Sequence, residues 1–231
     1  MYWRSLMLEN NLRVVRLDID AICRKVGRKS SDVVLVGVTK YSDVTVVNEA
    51  VALGLKNIAE NRVQSAKEKF VQLSVPSVTK HLIGHLQSNK VKEAVELFDL
   101  IQSVDSLSLL DEINKRAGAI AKVQEILLQV DIAKEEQKFG LPEGEVKAFC
   151  DHAQGLKNIS LWGLMTMAPL TEDQALIRSV FRRAHEIFDE LRVYSGNIQM
   201  KHLSMGMSGD YALAIEEGST MVRIGSLIFR D

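Results

Sequence analysis

Lys40 closes the run Val33-Val34-Leu35-Val36-Gly37-Val38-Thr39, in which five of the first six residues are valine or leucine. Such a run reads as a strand buried on both faces, as in a parallel sheet. Packing does not need a long cation at its carboxyl end, and in an α/β barrel that end is where chemistry is placed. Desolvated by apolar walls, a lysine there can lose its proton near neutral pH and attack a carbonyl to form a Schiff base. The same residue could instead cover the strand end with its stem and keep its ammonium in water. Two later stretches offer partners to an anion. Leu203-Ser204-Met205-Gly206-Met207-Ser208-Gly209-Asp210 places two hydroxyls and several amides ahead of a helix start, and Val222-Arg223-Ile224-Gly225-Ser226 follows it. Dipole and free N–H groups at a helix start favour an anion, although serines and glycines also simply turn chains and cap helices. Strand alternation puts Met221, Arg223 and Gly225 on one face and Val222, Ile224 and Ser226 on the other. An arginine so placed in a barrel must face a ligand or pair with an acid.

The elements that position these groups alternate along the chain. A helix over 5–27 carries Leu8, Leu12, Val15, Ile19, Ile22 and Val26 at spacings of four and three. Strands are expected at 33–40, 56–59, 80–84, 98–103, 123–130, 159–165, 200–204 and 220–225, each separated from the next by a helix. Asp43 is placed to cap the helix after the first strand, and Asp105 or Ser106 the helix after the fourth. A turn is expected around Pro76 and a polar loop over 131–140, with Pro142 as the first residue of the next helix. A long helix over about 171–194 would bury Leu176, Val180, Phe181, Ala184, Phe188 and Leu191, and another begins near Asp210. Eight such repeats favour a closed (β/α)8 TIM barrel with an extra amino-terminal helix over an open doubly wound sheet. No linker or low-complexity tract interrupts them, so residues 1–231 read as one domain.

Composition removes several function classes. The 231 residues are 46% hydrophobic, enough for a full core, and the net charge of -1 lacks the basic excess of a nucleic-acid footprint. Two cysteines, Cys23 and Cys150, are too few for a disulfide framework or a zinc cluster and suit a reducing cytoplasm. No signal-peptide core opens the chain and no 18-residue apolar run would span a membrane. There is no G-x-S-x-G elbow, P-loop or dinucleotide fingerprint. His81 and His85 are four apart, but Gly84 and a strand-to-loop setting spoil the helical geometry of a metal pair. His202 could approach a phosphate or be a satisfied core residue; His152 and His185 fall on helices as surface residues. Met165, Met167, Met205, Met207 and Met221 read as pliable packing around a ligand.

Taken together, these motifs resemble one family. Val36-Gly37-Val38-Thr39-Lys40, Ala59-Glu60-Asn61-Arg62-Val63-Gln64 and His81-Leu82-Ile83-Gly84-His85-Leu86-Gln87-Ser88-Asn89-Lys90 occur in its order. So do Gly163-Leu164-Met165-Thr166-Met167, the 203–208 loop, and Gly218-Ser219-Thr220-Met221-Val222-Arg223-Ile224-Gly225. The chain resembles the pyridoxal 5′-phosphate (PLP) homeostasis proteins, single-domain relatives of the alanine racemase barrel, from about Leu12 to Phe229. The resemblance implies a fold-type III PLP barrel with Lys40 forming the internal aldimine. It implies that Ser204, Gly225 and Ser226 receive the phosphate with help from the Met207 backbone. Arg223 would face the pyridine nitrogen, making the ring a poorer electron sink than one facing an aspartate, and Asn61 would lie beside the ring. Ala59 stands where glycine is frequent and His85 where proline or asparagine is.

The resemblance implies a cytoplasmic protein that carries or buffers PLP, with PLP-dependent enzymes as possible recipients and neither metal, nucleic acid nor membrane as a partner. No exposed heptad stripe points to an obligate dimer, so a monomer is expected. The alternative is a PLP-dependent amino-acid racemase. Racemases of this barrel carry a second, β-rich domain that supplies a tyrosine base, and no such domain is expected after the eighth strand. Inversion needs proton delivery on two faces, of which Lys40 could serve one. A third reading, an aldolase-type barrel acting on a sugar phosphate, would leave the purified protein colourless.

Overall fold

Residues 2–74, 77–133 and 139–230 are described by a computed structural model. The turn expected at Pro76 and the middle of the 131–140 loop lie outside these residues. Valine-rich β1 (Val34–Val38) pairs in parallel with β2 (Asn57–Glu60), which pairs with β3 (Thr79–Leu82), and β3 with β4 (Leu100–Val104). The ladder continues through β5 (Gln124–Asp131), β7 (Ile159–Met165), β8 (Ile198–Met207) and β9 (Met221–Ile224). β9 returns to pair with β1, so eight parallel strands close a barrel without an edge. The two-residue β6 (Leu141–Pro142) pairs with the end of β5.

Strand parity divides the core in two. Val36, Ala59, Leu100, Leu127, Met165 and Met221 face the barrel interior. Alternate residues such as Ile58, Leu82, Leu203, Val222 and Ile224 pack outward under the helices. Those helices are α1 (Tyr2–Lys25), α2 (Val44–Ala52), α3 (Val63–Phe70), α4 (Val91–Leu97) and α5 (Leu107–Ala119), then α6 (Val146–Ala153), α7 (Gln174–Glu190), α8 (Tyr211–Glu216) and α9 (Ser226–Phe229). α1 precedes the first strand and lays Leu8, Leu12, Val15 and Ile19 against the α8–α9 side of the barrel. Among the described residues, no helix is long and apolar enough to cross a membrane.

Several expected boundaries shift, each for a local reason. Pro142 does not open a helix. Leu141 precedes a proline and is therefore held extended, pairing with Val130, and α6 starts only at Val146 after a tight turn over Glu143–Glu145. α7 begins at Gln174 because Asp173 caps it, accepting the Ala175 and Leu176 amides at 2.9 and 3.1 Å. Its buried face is consequently Ile177, Val180, Phe181, Ala184, Ile187 and Phe188, and Leu176 is exposed. Val26 lies beyond the end of α1 and is also exposed. Ser106, not Asp105, caps α5 through its Oγ, and Asp43 occupies a cap position without a side-chain cap bond. The shift that bears on the site is in β8, which runs to Met207, three residues past the expected end.

Candidate functional site

At the carboxyl ends of β1, β8 and β9 the barrel opens into a cavity of about 550 Å³, within the range of small-molecule sites. Its wall joins three groups. Lys40 lies just beyond β1 on the inward parity of Val36 and Val38; it is exposed, with Nζ 4.9 Å from the centre of the Tyr41 ring. The apolar enclosure anticipated for this lysine is thus only partial. Beneath it the backbone is held from outside the barrel. Thr39 Oγ1 donates to Glu60 Oε1 at 2.6 Å, and Lys69 Nζ donates to both the Thr39 carbonyl (2.6 Å) and Glu60 Oε1 (2.5 Å). Glu60 is completely buried.

Ser208, Gly225 and Ser226 form the second group. The Gly225 N–H donates to Ser208 Oγ at 3.3 Å, which draws the loop after β8 onto the start of α9. Ser226 opens that one-turn helix, whose first amides have no acceptor within the turn. Two hydroxyls and these amides suit the oxygens of a phosphate. The neighbouring Met207 N–H is already directed to Asp210 Oδ1 at 2.6 Å, so Met207 meets the cavity through its half-exposed side chain. α8 is a helix of only six residues.

The third group is Arg223, on the cavity floor and 3% exposed. Its Nη1 donates to Ser204 Oγ at 2.7 Å and its Nη2 to the Thr166 carbonyl at 3.0 Å. Burial pushes its pKa down to about 10 against the opposing pull of the Asp210 charge, so the guanidinium stays cationic at neutral pH.

Five of the seven expected site residues therefore meet in one cavity: Lys40, Met207, Arg223, Gly225 and Ser226. Ser204 and Asn61 are not on its wall. Ser204 ends the expected strand, but β8 carries on beyond it, and its side chain points into the barrel, fully buried, between Arg223 and Gln102. Asn61 lies in the turn after β2, packed so closely beneath Gly84 that a Cβ there would stand 2.1 Å from the Asn61 carbonyl oxygen. Ser208, from the same motif, is on the wall. His202 lies away from the cavity wall, 5.9 Å from Trp162, and burial followed by the Lys201 charge lowers its pKa. His81 points into the barrel beside Gln102, whereas His85 sits at the rim against Asp105 (3.3 Å) and stacks on Phe139 at 3.7 Å.

Residues 18–231 match the family model described as alanine racemase, N-terminal domain. An alanine racemase from Clostridium difficile is 15% identical, with a TM-score of 0.71 over 95% of this chain and 56% of its own; at that identity it shows the fold alone. PipY of Synechococcus elongatus, solved with PLP bound, is 33% identical with a TM-score of 0.85, covering 96% of this chain and 99% of PipY. The pyridoxal phosphate homeostasis protein of Aquifex aeolicus is 41% identical over 92% of this chain and 93% of its own length. Barrel and rim together define the alanine racemase amino-terminal type of fold. Within that type, near-full-length identity above 30% places the chain in the pyridoxal phosphate homeostasis protein family.

Proposed function

We propose that the chain binds PLP at the barrel mouth through Lys40 and carries or buffers it as part of PLP homeostasis. One observation carries the reading. A single cavity presents an amine, a corner of hydroxyls and amides, and a buried guanidinium, which are the partners required by an aldehyde, a phosphate and a pyridine ring. Bound there, PLP would supply an electrophilic aldehyde, with which the Lys40 amine condenses as water is released. Ser208, Ser226 and the first amides of α9 would hold the phosphate. Arg223, a permanent cation, would keep a facing ring nitrogen unprotonated and so weaken the ring as an electron sink.

That electronic setting and the composition of the wall favour carriage over turnover. Inverting an amino acid needs acid–base groups on both faces of the substrate. Among the described residues the wall carries no histidine or carboxylate, and Tyr41 stands beside Lys40. The test is an absorbance spectrum of the purified protein before and after borohydride reduction, with peptide mapping of the modified lysine. A band near the visible edge that reduces onto Lys40, and is absent in Lys40→Ala, is expected. A colourless protein that takes up no added PLP would overturn the reading.

A further inference from the structure

We propose that Gln102, with Ser204 and His81, is a positioning residue for Arg223, and that their hydrogen-bond chain sets how the guanidinium meets the cofactor ring. The inference rests on the PLP reading above. The chain crosses the barrel interior on inward-facing positions of five strands. Arg223 Nη1 lies 2.7 Å from Ser204 Oγ, Ser204 Oγ 2.7 Å from Gln102 Oε1, Gln102 Nε2 2.9 Å from His81 Nδ1, and His81 Nε2 3.1 Å from Asn57 Oδ1. Gln102 Nε2 also touches Met221 Sδ at 3.2 Å. Arg223, Ser204, Gln102 and His81 are each at most 3% exposed, so water does not compete for these bonds.

The direction of the whole chain follows from one fact: a guanidinium can only donate. Ser204 must therefore accept from Arg223 and turn its single proton to Gln102. The Gln102 carbonyl is thereby fixed toward Ser204 and its amide toward His81. His81 Nδ1 must then accept, which requires a neutral ring with its proton on Nε2, donated to Asn57. Burial, with the nearby His202 charge adding to it, pushes His81 down to about 3, in keeping with a ring that stays neutral. Every donor points the same way, so each bond polarises the next and strengthens Ser204 as an acceptor for Arg223. Of the polar contacts of Arg223, Thr166 offers a main-chain carbonyl and Ser204 is the side chain whose geometry is set from farther down the barrel.

The experiment measures PLP affinity, the absorbance maximum of the Lys40-linked cofactor and the thermal midpoint for Ser204→Ala, Gln102→Met, their double variant, and Ser204→Thr. Loss of a buried hydrogen bond to a charged group predicts about tenfold weaker PLP binding for each single variant. Both should also shift the absorbance maximum in the direction given by Arg223→Lys. The double variant should be no worse than the weaker single, because both cut one chain, and Ser204→Thr, which keeps the hydroxyl, should restore the wild-type maximum. A merely structural role would lower the thermal midpoint and leave the absorbance maximum and affinity of the folded protein unmoved, which would overturn the proposal. If the substitutions prevent folding, nitrogen-15 NMR of His81 in the wild-type protein decides. A neutral Nε2–H ring at pH 6 is expected, and an Nδ1–H tautomer or an imidazolium would break the chain. Wild-type protein that binds no PLP would sink the functional reading itself, whereas wild-type uptake with unmoved variants would sink this proposal alone.

Discussion

Around Lys40 the rim depends on a residue from another element, 30 positions beyond Thr39 in the sequence. Lys69 on α3 reaches under the rim to hold the carbonyl of Thr39 and the carboxylate of Glu60, and it is itself only 12% exposed. Glu60 has a second carboxylate oxygen, Oε2, that is buried without a hydrogen-bond partner, so the carboxylate depends heavily on Lys69. Removing one partner of such a pair leaves a buried, uncompensated charge, which costs about 3 kcal/mol or more. Lys69→Met should therefore lower unfolding free energy by about that much in urea titrations. The double variant Glu60→Leu/Lys69→Met should regain most of it, since an apolar pair of similar volume leaves no buried charge. A Lys69→Met protein as stable as wild type would show that the pair is not a structural support of the rim. The sequence exposed Lys40, Arg223 and Gly225 clearly, because strand ends and parity are local properties. It did not expose Lys69, whose partner is nine residues away and lies on the outward face of another element. Nor did it separate Ser204 from Ser208, since that choice depends on where β8 stops.

At the scale of elements, the positions of strands in the ladder were legible and their irregularities were not. Valine- and leucine-rich runs give away parallel strands, and β7 occupies the span expected for it, Ile159–Met165. The bulge between β7 and β8 is different. Leu161 pairs with Ile198 but Gly163 pairs with His202, so β8 gains two residues where β7 advances by two. Gly163 accommodates this with φ +141, and a Cβ at that position would stand 1.9 Å from the His202 carbonyl oxygen. Both the backbone conformation and the missing side chain are needed. Gly163→Ala should cost about 3 kcal/mol, the range of strained backbone combined with overpacking. Because β8 carries Ser204 and leads into the Ser208 loop, the same variant should release PLP more readily. Chemical denaturation paired with cofactor retention checks both effects, and a variant with wild-type stability would mean that the ladder can re-register around the bulge. The bulge has no periodic signature, so only the glycine itself hinted at it in the sequence.

For the molecule as a whole, a barrel interior is ordinarily filled with branched apolar side chains, and this one gives part of that volume to a polar column. The eight-fold repeat was readable because each strand and helix announces itself over a few residues. The column was not, since Asn57, His81, Gln102, Ser204 and Arg223 come from five strands and meet only when the ladder closes. It makes global stability depend on pH in a predictable sense. His81 titrates near 6.5 when unfolded and at about 3 when folded, so the unfolded chain binds the extra proton between those values. The folded state thus keeps its full advantage above pH 6.5 and loses it as the pH falls toward 3, at about 1.4 kcal/mol per pH unit. Moving from pH 7 to pH 5 crosses about 1.5 units of that window, a loss of about 2 kcal/mol from His81 alone. Carboxylates titrate in the lower part of the same window, so the contribution is isolated by comparison with His81→Gln, which has no proton to gain. The variant is expected to be the less stable protein at pH 7, since its amide cannot reproduce both ring contacts. The gap between the two proteins should then narrow by about 2 kcal/mol at pH 5 in urea denaturation. Parallel stability profiles from pH 7 to pH 5 would mean that His81 accepts a proton in the folded barrel as readily as in the unfolded chain. The neutral, accepting ring on which the interior column depends would then have no basis.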